Sequence, residues 1–150
     1  MIIKSYARAE EAISVVRSGD RIFIHGGAAT PVALVKALQA RYMELFNVEL
    51  VSITNMGDIN FHQPKFHGHF FFNSLFVSAN TREVANSCDG DYVPVFLSQI
   101  PQLFRQNILP IDVALIQVSP PDQHGFCSLG TSVDVAKAAI ETASIIIAQV

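Results

Sequence analysis

The stretch SGDRIFIHGGAATPVALVKAL, residues 18–38, decides the fold. Its β-rich run RIFIH at 21–25 is followed directly by Gly26 and Gly27, and then by apolar residues at helical spacing. Thr30 can cap the free amides of the new helix, and Pro31 suits its first turn. The stretch therefore predicts a strand, a tight turn and a helix.

The rest of the chain repeats this alternation. The predicted strands cover 21–25, 48–54, 71–78, 92–97, 111–118 and 143–150. The other predicted helices cover 9–16, 98–105 and 132–142. Strands that are apolar on both faces and alternate with helices are typical of a parallel sheet covered on both sides. We therefore predict an α/β domain with an open, mainly parallel, Rossmann-like sheet and helices on both faces.

Length and composition favour one domain, 1–150, whose surface is partly covered by something else. A chain of 150 residues suits one compact domain with a hydrophobic core. Hydrophobic residues make up 50% of it and charged residues only 15%, against about 25% charged in a typical soluble domain. The final run, 144–150, is almost wholly apolar. We expect a further domain, a partner subunit or a homo-oligomer to cover part of the surface.

Charge and hydropathy exclude several classes of protein. A net charge of -3, a pI of about 5.9 and the lack of a Lys/Arg cluster argue against nucleic-acid binding. No stretch has the ~18 uninterrupted apolar residues of a membrane span, and the first residues do not resemble a signal peptide. Cys88 and Cys127 are far apart, so we expect reduced thiols in a cytoplasmic protein.

Three segments follow predicted strands and could meet a ligand at one edge of the sheet. The Gly26-Gly27 turn precedes a helix amino terminus, where amides and the helix dipole favour anions, although two glycines also suit a plain tight turn. Asn55-Met56-Gly57-Asp58 follows the second strand and is equally compatible with an ordinary turn.

The third segment, SPPDQHGFCSLG at 119–130, follows the apolar strand at 111–118. Asp122 can brace its own turn and Ser128 can cap a helix. A hydrolytic triad of Asp122, His124 and Ser128 is disfavoured, because residues this close in one loop rarely reach the required geometry.

The histidines do not indicate a metal site at the level of sequence. His67 and His69 would share a face of a strand, with His62 nearby. No carboxylate or Cys accompanies them at ligand spacing, and the phenylalanines around them favour a packed aromatic segment. We therefore expect no metal.

The three segments together carry a family resemblance. SGDRIFIHGGAATPVALVKAL (18–38), LVSITNMG (50–57) and IDVALIQVSPPDQHGFCSLGTSVDVAKAA (111–139) resemble the amino-terminal domain of the acetyl-CoA hydrolase/transferase family. That family includes acetate, butyrate and 4-hydroxybutyrate CoA-transferases. The resemblance is most specific at 112–134, where strand, Pro-Pro-Asp turn, Gly and Ser-Leu-Gly occur in the family's order.

The resemblance implies a subunit of two α/β domains with the active site between them. A glutamate of the second domain attacks an acyl-CoA thioester, and a glutamyl-CoA intermediate then passes CoA to a carboxylate such as acetate. Coenzyme A is a substrate, and no permanently bound cofactor is implied. The catalytic glutamate is thus expected outside this chain, which would be inactive alone. An acetyl-CoA hydrolase, and a stand-alone anion-binding module on the related sugar-phosphate isomerase-like fold, remain alternatives.

The same resemblance implies which residues line the cleft. They come from the loops after the first, second and last but one predicted strands. They are Gly26, Gly27, Thr30, Pro31, Asn55, Met56, Pro120, Asp122, Gly125, Ser128 and Gly130.

Overall fold

Residues 4–150 are described by a computed structural model, and they contain a six-stranded sheet. The strands are β1 (Arg21–Ile24), β2 (Val48–Ser52), β3 (Phe70–Ser74), β4 (Gly90–Tyr92), β5 (Val113–Gln117) and β6 (Ile145–Gln149). Their order is β4-β3-β2-β1-β5-β6, and every neighbouring pair is parallel. The prediction of an open, mainly parallel sheet is confirmed.

Five short helices and three 3-10 turns connect the strands. The helices are α1 (Ala9–Ile13), α2 (Val32–Ala40), α3 (Arg82–Ala85), α4 (Ile100–Arg105) and α5 (Ala136–Thr142). The 3-10 turns are Tyr42–Glu44, Pro64–Phe66 and Leu97–Gln99. Among the helices of residues 4–150, none has the length and apolar character needed to cross a membrane.

Some predicted boundaries were wrong. The strand predicted at 92–97 lies at Gly90–Tyr92, and α3 was missed, because four residues are too few to show helical periodicity. The helix predicted at 132–142 begins only at Ala136, where the Asp134 carboxylate accepts the Ala136 amide.

Helices cover both faces of the sheet, as predicted. On one face α1 and α2 pack on the strands, and this core contains the aromatic residues Phe61, Phe66, Phe70 and Phe72. Neighbouring rings in this group have centroids 5.3–5.8 Å apart. On the other face, α4 and α5 bury a second core. Phe66, Phe70 and Phe72 are therefore packed in the interior, as the sequence predicted, whereas Phe71 and Phe76 each keep 38% of their surface exposed.

The strand with the most apolar sequence, β6, lies at an edge of the sheet. Within residues 4–150 it pairs only with β5. Ile145 and Ile146 keep 40% and 42% of their surface exposed, whereas Ile147 is buried. By contrast β5, which lies between β1 and β6, is buried on both faces, because helices cover it above and below.

Candidate functional site

Three loops meet at the carboxyl edge of the central strands. They follow β1 (residues 25–31), β2 (53–58) and β5 (118–135). Because β2, β1 and β5 are adjacent and parallel, these loops emerge on the same side of the sheet. The prediction that they share one edge is confirmed, and we call them the carboxyl-edge loops.

The turn after β1 requires its two glycines. A Cβ at Gly26 would lie 2.9 Å from the Thr54 carbonyl oxygen and from the Ile53 side chain. Gly27 has a φ of 56°, and its amide donates to Thr54 O at 2.9 Å. The first two loops are thus joined at backbone level, and an isolated parallel bridge pairs Gly27 with Asn55.

Thr30 connects the same two loops, and the predicted role of its side chain as a helix cap was wrong. Its hydroxyl donates to Gly27 O at 2.8 Å and accepts the Met56 amide at 3.1 Å. The N-cap residue of α2 is Pro31, which therefore precedes the first helical turn. Pro31 supplies no side-chain hydrogen bond to the helix amides. The hydroxyl bonds to its own turn and to the neighbouring loop, because Thr30 is buried between the two segments.

The first amides of α2 have partners that the sequence did not suggest. Val32 N donates to Thr30 O at 2.9 Å. The side-chain oxygen of Gln149, at the end of β6, accepts the amides of Ala33 at 3.1 Å and Leu34 at 3.3 Å. The expectation that these amides are available to an anion is therefore corrected, because a side chain from the edge strand already satisfies them.

One amide of the turn does remain available. Ala28 is exposed, and no hydrogen bond to its N–H is present within residues 4–150. The amides of Ala29 and Thr30 donate to Gly26 O and Gly27 O, each at 3.2 Å. The Ala28 amide is therefore a backbone donor without a partner within residues 4–150, the kind of group that can stabilise a developing oxyanion.

The loop after β2 is held from both sides. Asn55 is buried, its side-chain amide lies 3.5 Å from His25 O, and its Oδ1 has no partner within residues 4–150. Asn80 donates to Asn55 O at 3.2 Å and Gly57 O at 2.9 Å. Met56, in contrast, exposes 60% of its surface. Asn55 thus holds the loop in place, and its Oδ1 is a buried acceptor without a partner within residues 4–150. Met56 is accessible to a ligand or a neighbouring domain.

Sequence reasoning missed His25, which is fully buried beside the glycine turn. Its Nδ1 accepts the Gln117 amide at 3.3 Å, and its Nε2 lies 2.6 Å from Ser132 O. Since Nδ1 accepts, the proton is on Nε2, which donates to Ser132. His25 therefore ties the end of β1 to the end of β5 and to Ser132, near the end of the third loop. A polar residue ending an otherwise apolar strand was the one signal in the sequence.

The third loop is exposed and braced by its own hydrogen bonds. The Asp122 carboxylate accepts the amides of His124 and Phe126, both at 2.9 Å. Ser128 N donates to the Ser119 hydroxyl, and Ser128 O accepts the Ser119 amide, both at 2.9 Å. Asp122 thus braces its turn, as one interpretation of the sequence proposed. Ser128 caps no helix, because its hydroxyl accepts Gly130 N within the loop.

The eleven predicted cleft residues fall into two groups. Gly26, Gly27, Thr30, Asn55 and Met56 form one group joined by the contacts described above, and Pro31 follows Thr30 at the N-cap of α2. Pro120, Asp122, Gly125, Ser128 and Gly130 lie in the exposed third loop, where Gly125 and Gly130 have φ angles of 83° and 71°. Near its end this loop approaches the first group, since a Cβ at Gly27 would lie 2.8 Å from the Ser132 hydroxyl.

His67 and His69 lie in different environments. His69 Nδ1 lies 2.8 Å from Leu45 O, and its ring contacts the ring of Phe46. His67 lies beside Cys88 and Asp89. The reasoning that no carboxylate or Cys accompanies these histidines holds for the sequence but fails in the folded chain.

Comparison with known proteins agrees with this architecture. Residues 3–150 match the family described as "Acetyl-CoA hydrolase/transferase N-terminal domain". The chain is 45% identical over 146 residues to a succinyl-CoA:acetate/propanoyl-CoA:succinate CoA transferase of Fasciola hepatica, covering 96% of this chain and 30% of that protein. It is 40% identical to a 4-hydroxybutyrate coenzyme A transferase of Clostridium kluyveri, covering 95% and 33%.

A solved structure has the same fold. The crystal structure of RipA from Yersinia pestis superimposes with a TM-score of 0.85 at 28% identity, over 95% of this chain and 35% of that one. The chain therefore spans about a third of the length of the relatives it matches. Since the family match covers residues 3–150, the chain belongs to the acetyl-CoA hydrolase/transferase family, and these residues are its amino-terminal domain.

Proposed function

We propose that this domain forms one wall of the active-site cleft of a CoA-transferase, which moves CoA between an acyl-CoA and a small carboxylate such as acetate. The observation that carries the proposal is the shared edge, where the Gly26-Gly27 turn, the Asn55-Met56 loop and the third loop lie together. Two relatives that match nearly the whole chain are named as CoA transferases. In open α/β sheets, ligands bind outside the carboxyl ends of the strands, which is where these loops lie.

The nucleophile is proposed to be a glutamate outside residues 1–150. The glutamates of this chain lie outside the three carboxyl-edge loops, at positions 10, 11, 44, 49, 83 and 141. Glu49 forms an ion pair with Arg21 at 2.7 Å, and Glu141 forms one with Arg105 at 2.8 Å. These two carboxylates are therefore engaged structurally, away from the cleft.

The proposed reaction is a relay through the glutamate. Its carboxylate attacks the thioester carbon and expels the CoA thiolate, giving an acyl-glutamyl anhydride. The thiolate then attacks the glutamyl carbonyl, releasing the donor carboxylate and leaving glutamyl-CoA. An acceptor carboxylate repeats the two steps in reverse. Each step develops an oxyanion, and we propose the Ala28 amide, which has no partner within residues 4–150, as a donor for one.

The proposal also explains the exposed apolar surface. Phe126 at the tip of the third loop exposes 74% of its surface, and Ile145 and Ile146 are exposed along β6. A contiguous exposed apolar patch marks a surface that another domain or subunit covers. We propose that a second domain, carrying the glutamate, packs against the carboxyl-edge loops at Phe126, and that this domain or a partner subunit of a homo-oligomer covers the edge strand β6.

The alternatives have less support. An acetyl-CoA hydrolase would differ only in admitting water to the anhydride, and the two relatives are named as transferases. A stand-alone anion-binding module would use the amides at the start of α2, but Thr30 O and Gln149 already accept them. We therefore favour the transferase.

An assay of CoA transfer from an acyl-CoA to acetate tests the proposal. Residues 1–150 alone should show no turnover, whereas their fusion to the remaining part of the Clostridium kluyveri relative should transfer CoA. In that fusion Asn55→Ala should lower activity, and Glu83→Ala, at an exposed position of α3, should serve as the matched control without effect. Turnover by residues 1–150 alone, free of contaminating enzyme, would place the nucleophile inside this chain and refute the proposal.

A further inference from the structure

A second cluster of reactive side chains lies at the opposite edge of the sheet. His67 comes just before β3, and Cys88 and Asp89 come just before β4. Because the strands are parallel, these residues lie at the amino edge, away from the carboxyl-edge loops. One ring nitrogen of His67, Sγ of Cys88 and a carboxylate oxygen of Asp89 all lie within 4.8 Å of one another.

The spacing of the three donor atoms is close to that of a metal site. His67 Nδ1 is 2.7 Å from Asp89 Oδ1 and 3.8 Å from Cys88 Sγ. Ligands bound tetrahedrally to zinc at its usual bond lengths are about 3.3–3.8 Å apart. An opening of about 0.6 Å between imidazole and carboxylate, together with a closing of up to about 1 Å between the Cys88 thiol and the carboxylate, would admit the ion.

The backbone holds the Asp89 side of the cluster in place. Asp89 O accepts the Phe72 amide at 2.8 Å, and Asp89 N donates to the Ser87 hydroxyl at 3.1 Å. A Cβ at Gly90 would lie 2.5 Å from Val84 O, so only glycine lets β4 run this close to α3. Asp89 thus takes its position from the β3–β4 pairing and from α3.

The backbone around His67 is equally fixed. His67 N donates to Pro64 O at 3.3 Å, and His69 N donates to Phe66 O at 2.9 Å. The His67 side chain remains 67% exposed and that of Asp89 20% exposed, so an ion can reach both from solvent. The cluster therefore combines a fixed backbone with an open approach.

We propose that His67, Cys88 and Asp89 bind a zinc ion, with water in the fourth position. Imidazole nitrogen, thiolate and carboxylate are the donors that zinc takes in proteins. The thiolate and the carboxylate balance the two charges of the ion. On binding, the Cys88 thiol gives its proton to solvent, and the Nδ1 proton of His67 moves to Nε2, which leaves Nδ1 free to coordinate.

A zinc titration of the full chain in phosphate-free buffer, followed by calorimetry, tests the site. Cys88→Ser and His67→Ala should each lower the affinity for Zn²⁺ by at least about tenfold. The matched controls are Cys127→Ser and His62→Ala, which change an exposed thiol and an exposed imidazole outside the cluster. They should bind zinc as the parent does. Equal affinity in all four variants would overturn the proposal and leave a hydrogen-bonded His-Asp pair beside a thiol.

A second measurement uses the unaltered chain and does not depend on the folding of any variant. Both cysteines are exposed, so both should react with iodoacetamide in the absence of metal. Zn²⁺ should slow alkylation of Cys88 at least about tenfold, since a bound thiolate is not available for attack, and should leave Cys127 unchanged. Alkylation of both cysteines at rates unaffected by Zn²⁺, read by peptide mass spectrometry, would contradict the site.

Discussion

Replacement of Gly26 by alanine tests the close approach between the first two carboxyl-edge loops. The new Cβ would lie 2.9 Å from Thr54 O and 2.9 Å from Ile53 Cγ1. Ordinary contacts of this kind begin at about 3.4 Å, so the loops must separate by about 0.5 Å. The hydrogen bond from Gly27 N to Thr54 O, now 2.9 Å long, would then exceed the usual range.

The expected loss of stability follows from these terms. Overpacking against backbone costs about 1–3 kcal/mol, and the weakened hydrogen bond adds about 0.5–1.5 kcal/mol. Alanine also lowers the conformational entropy of the unfolded chain, which offsets about 0.4–1 kcal/mol of this loss of stability. Gly26→Ala should therefore lower the free energy of unfolding by about 1–4 kcal/mol. Urea denaturation followed by circular dichroism measures this value.

Hydrogen exchange locates the effect. In Gly26→Ala the Gly27 amide should exchange faster relative to global unfolding, because its bond to Thr54 O is the one strained. The matched control is Gly19→Ala, where a Cβ meets nothing within 4 Å and only the φ of 83° is unfavourable. This control should leave the Gly27 amide protected. A Gly26→Ala variant as stable as the parent, with Gly27 still protected, would refute the argument.

Two further substitutions test contacts that join distant parts of the chain. Thr30→Val leaves Gly27 O and the Met56 amide without their hydroxyl partner and should lower the free energy of unfolding by about 1–3 kcal/mol. Thr30→Ser keeps the hydroxyl and should lower it less. Equal losses in urea denaturation would contradict the role of the hydroxyl. Gln149→Ala removes the acceptor of the Ala33 and Leu34 amides and should lower the free energy of unfolding by about 0.5–2 kcal/mol. Gln149→Glu keeps an acceptor at the positive end of α2 and should lower it less. A glutamate variant that unfolds at a lower temperature than the alanine variant would contradict the cap.

Local patterns were sufficient to predict the fold class and most of the strands. The runs at 21–25, 48–54 and 111–118 predicted three strands to within two residues, because central strands buried on both faces must be continuously apolar. The Gly26-Gly27 turn was also correctly placed, since only glycine tolerates its close approach and its positive φ. From parallel strands the shared edge of the three loops followed directly.

The roles of individual side chains were less accessible. Thr30 is of a residue type that often caps helices. Its hydroxyl bonds instead to Gly27 and Met56, because burial between two loops offers nearer partners than the helix amides. The cap comes instead from Gln149, more than a hundred residues away. His25 likewise bonds to Ser132, 107 residues further along the chain. No local pattern encodes such pairs.

The sequence by itself determined an α/β domain with three loops at one edge of a parallel sheet, because hydrophobic periodicity and glycine turns are local properties of the chain. The tertiary structure alone decided which polar groups are satisfied and which remain available. It paired the first amides of α2 with Thr30 O and Gln149, left the Ala28 amide without a partner within residues 4–150, and brought Cys88 and Asp89 to His67 across 21 and 22 residues. The physical reason is that hydrogen-bonding and metal-binding groups act over a few ångströms in space, and parallel pairing of β3 with β4 sets those distances.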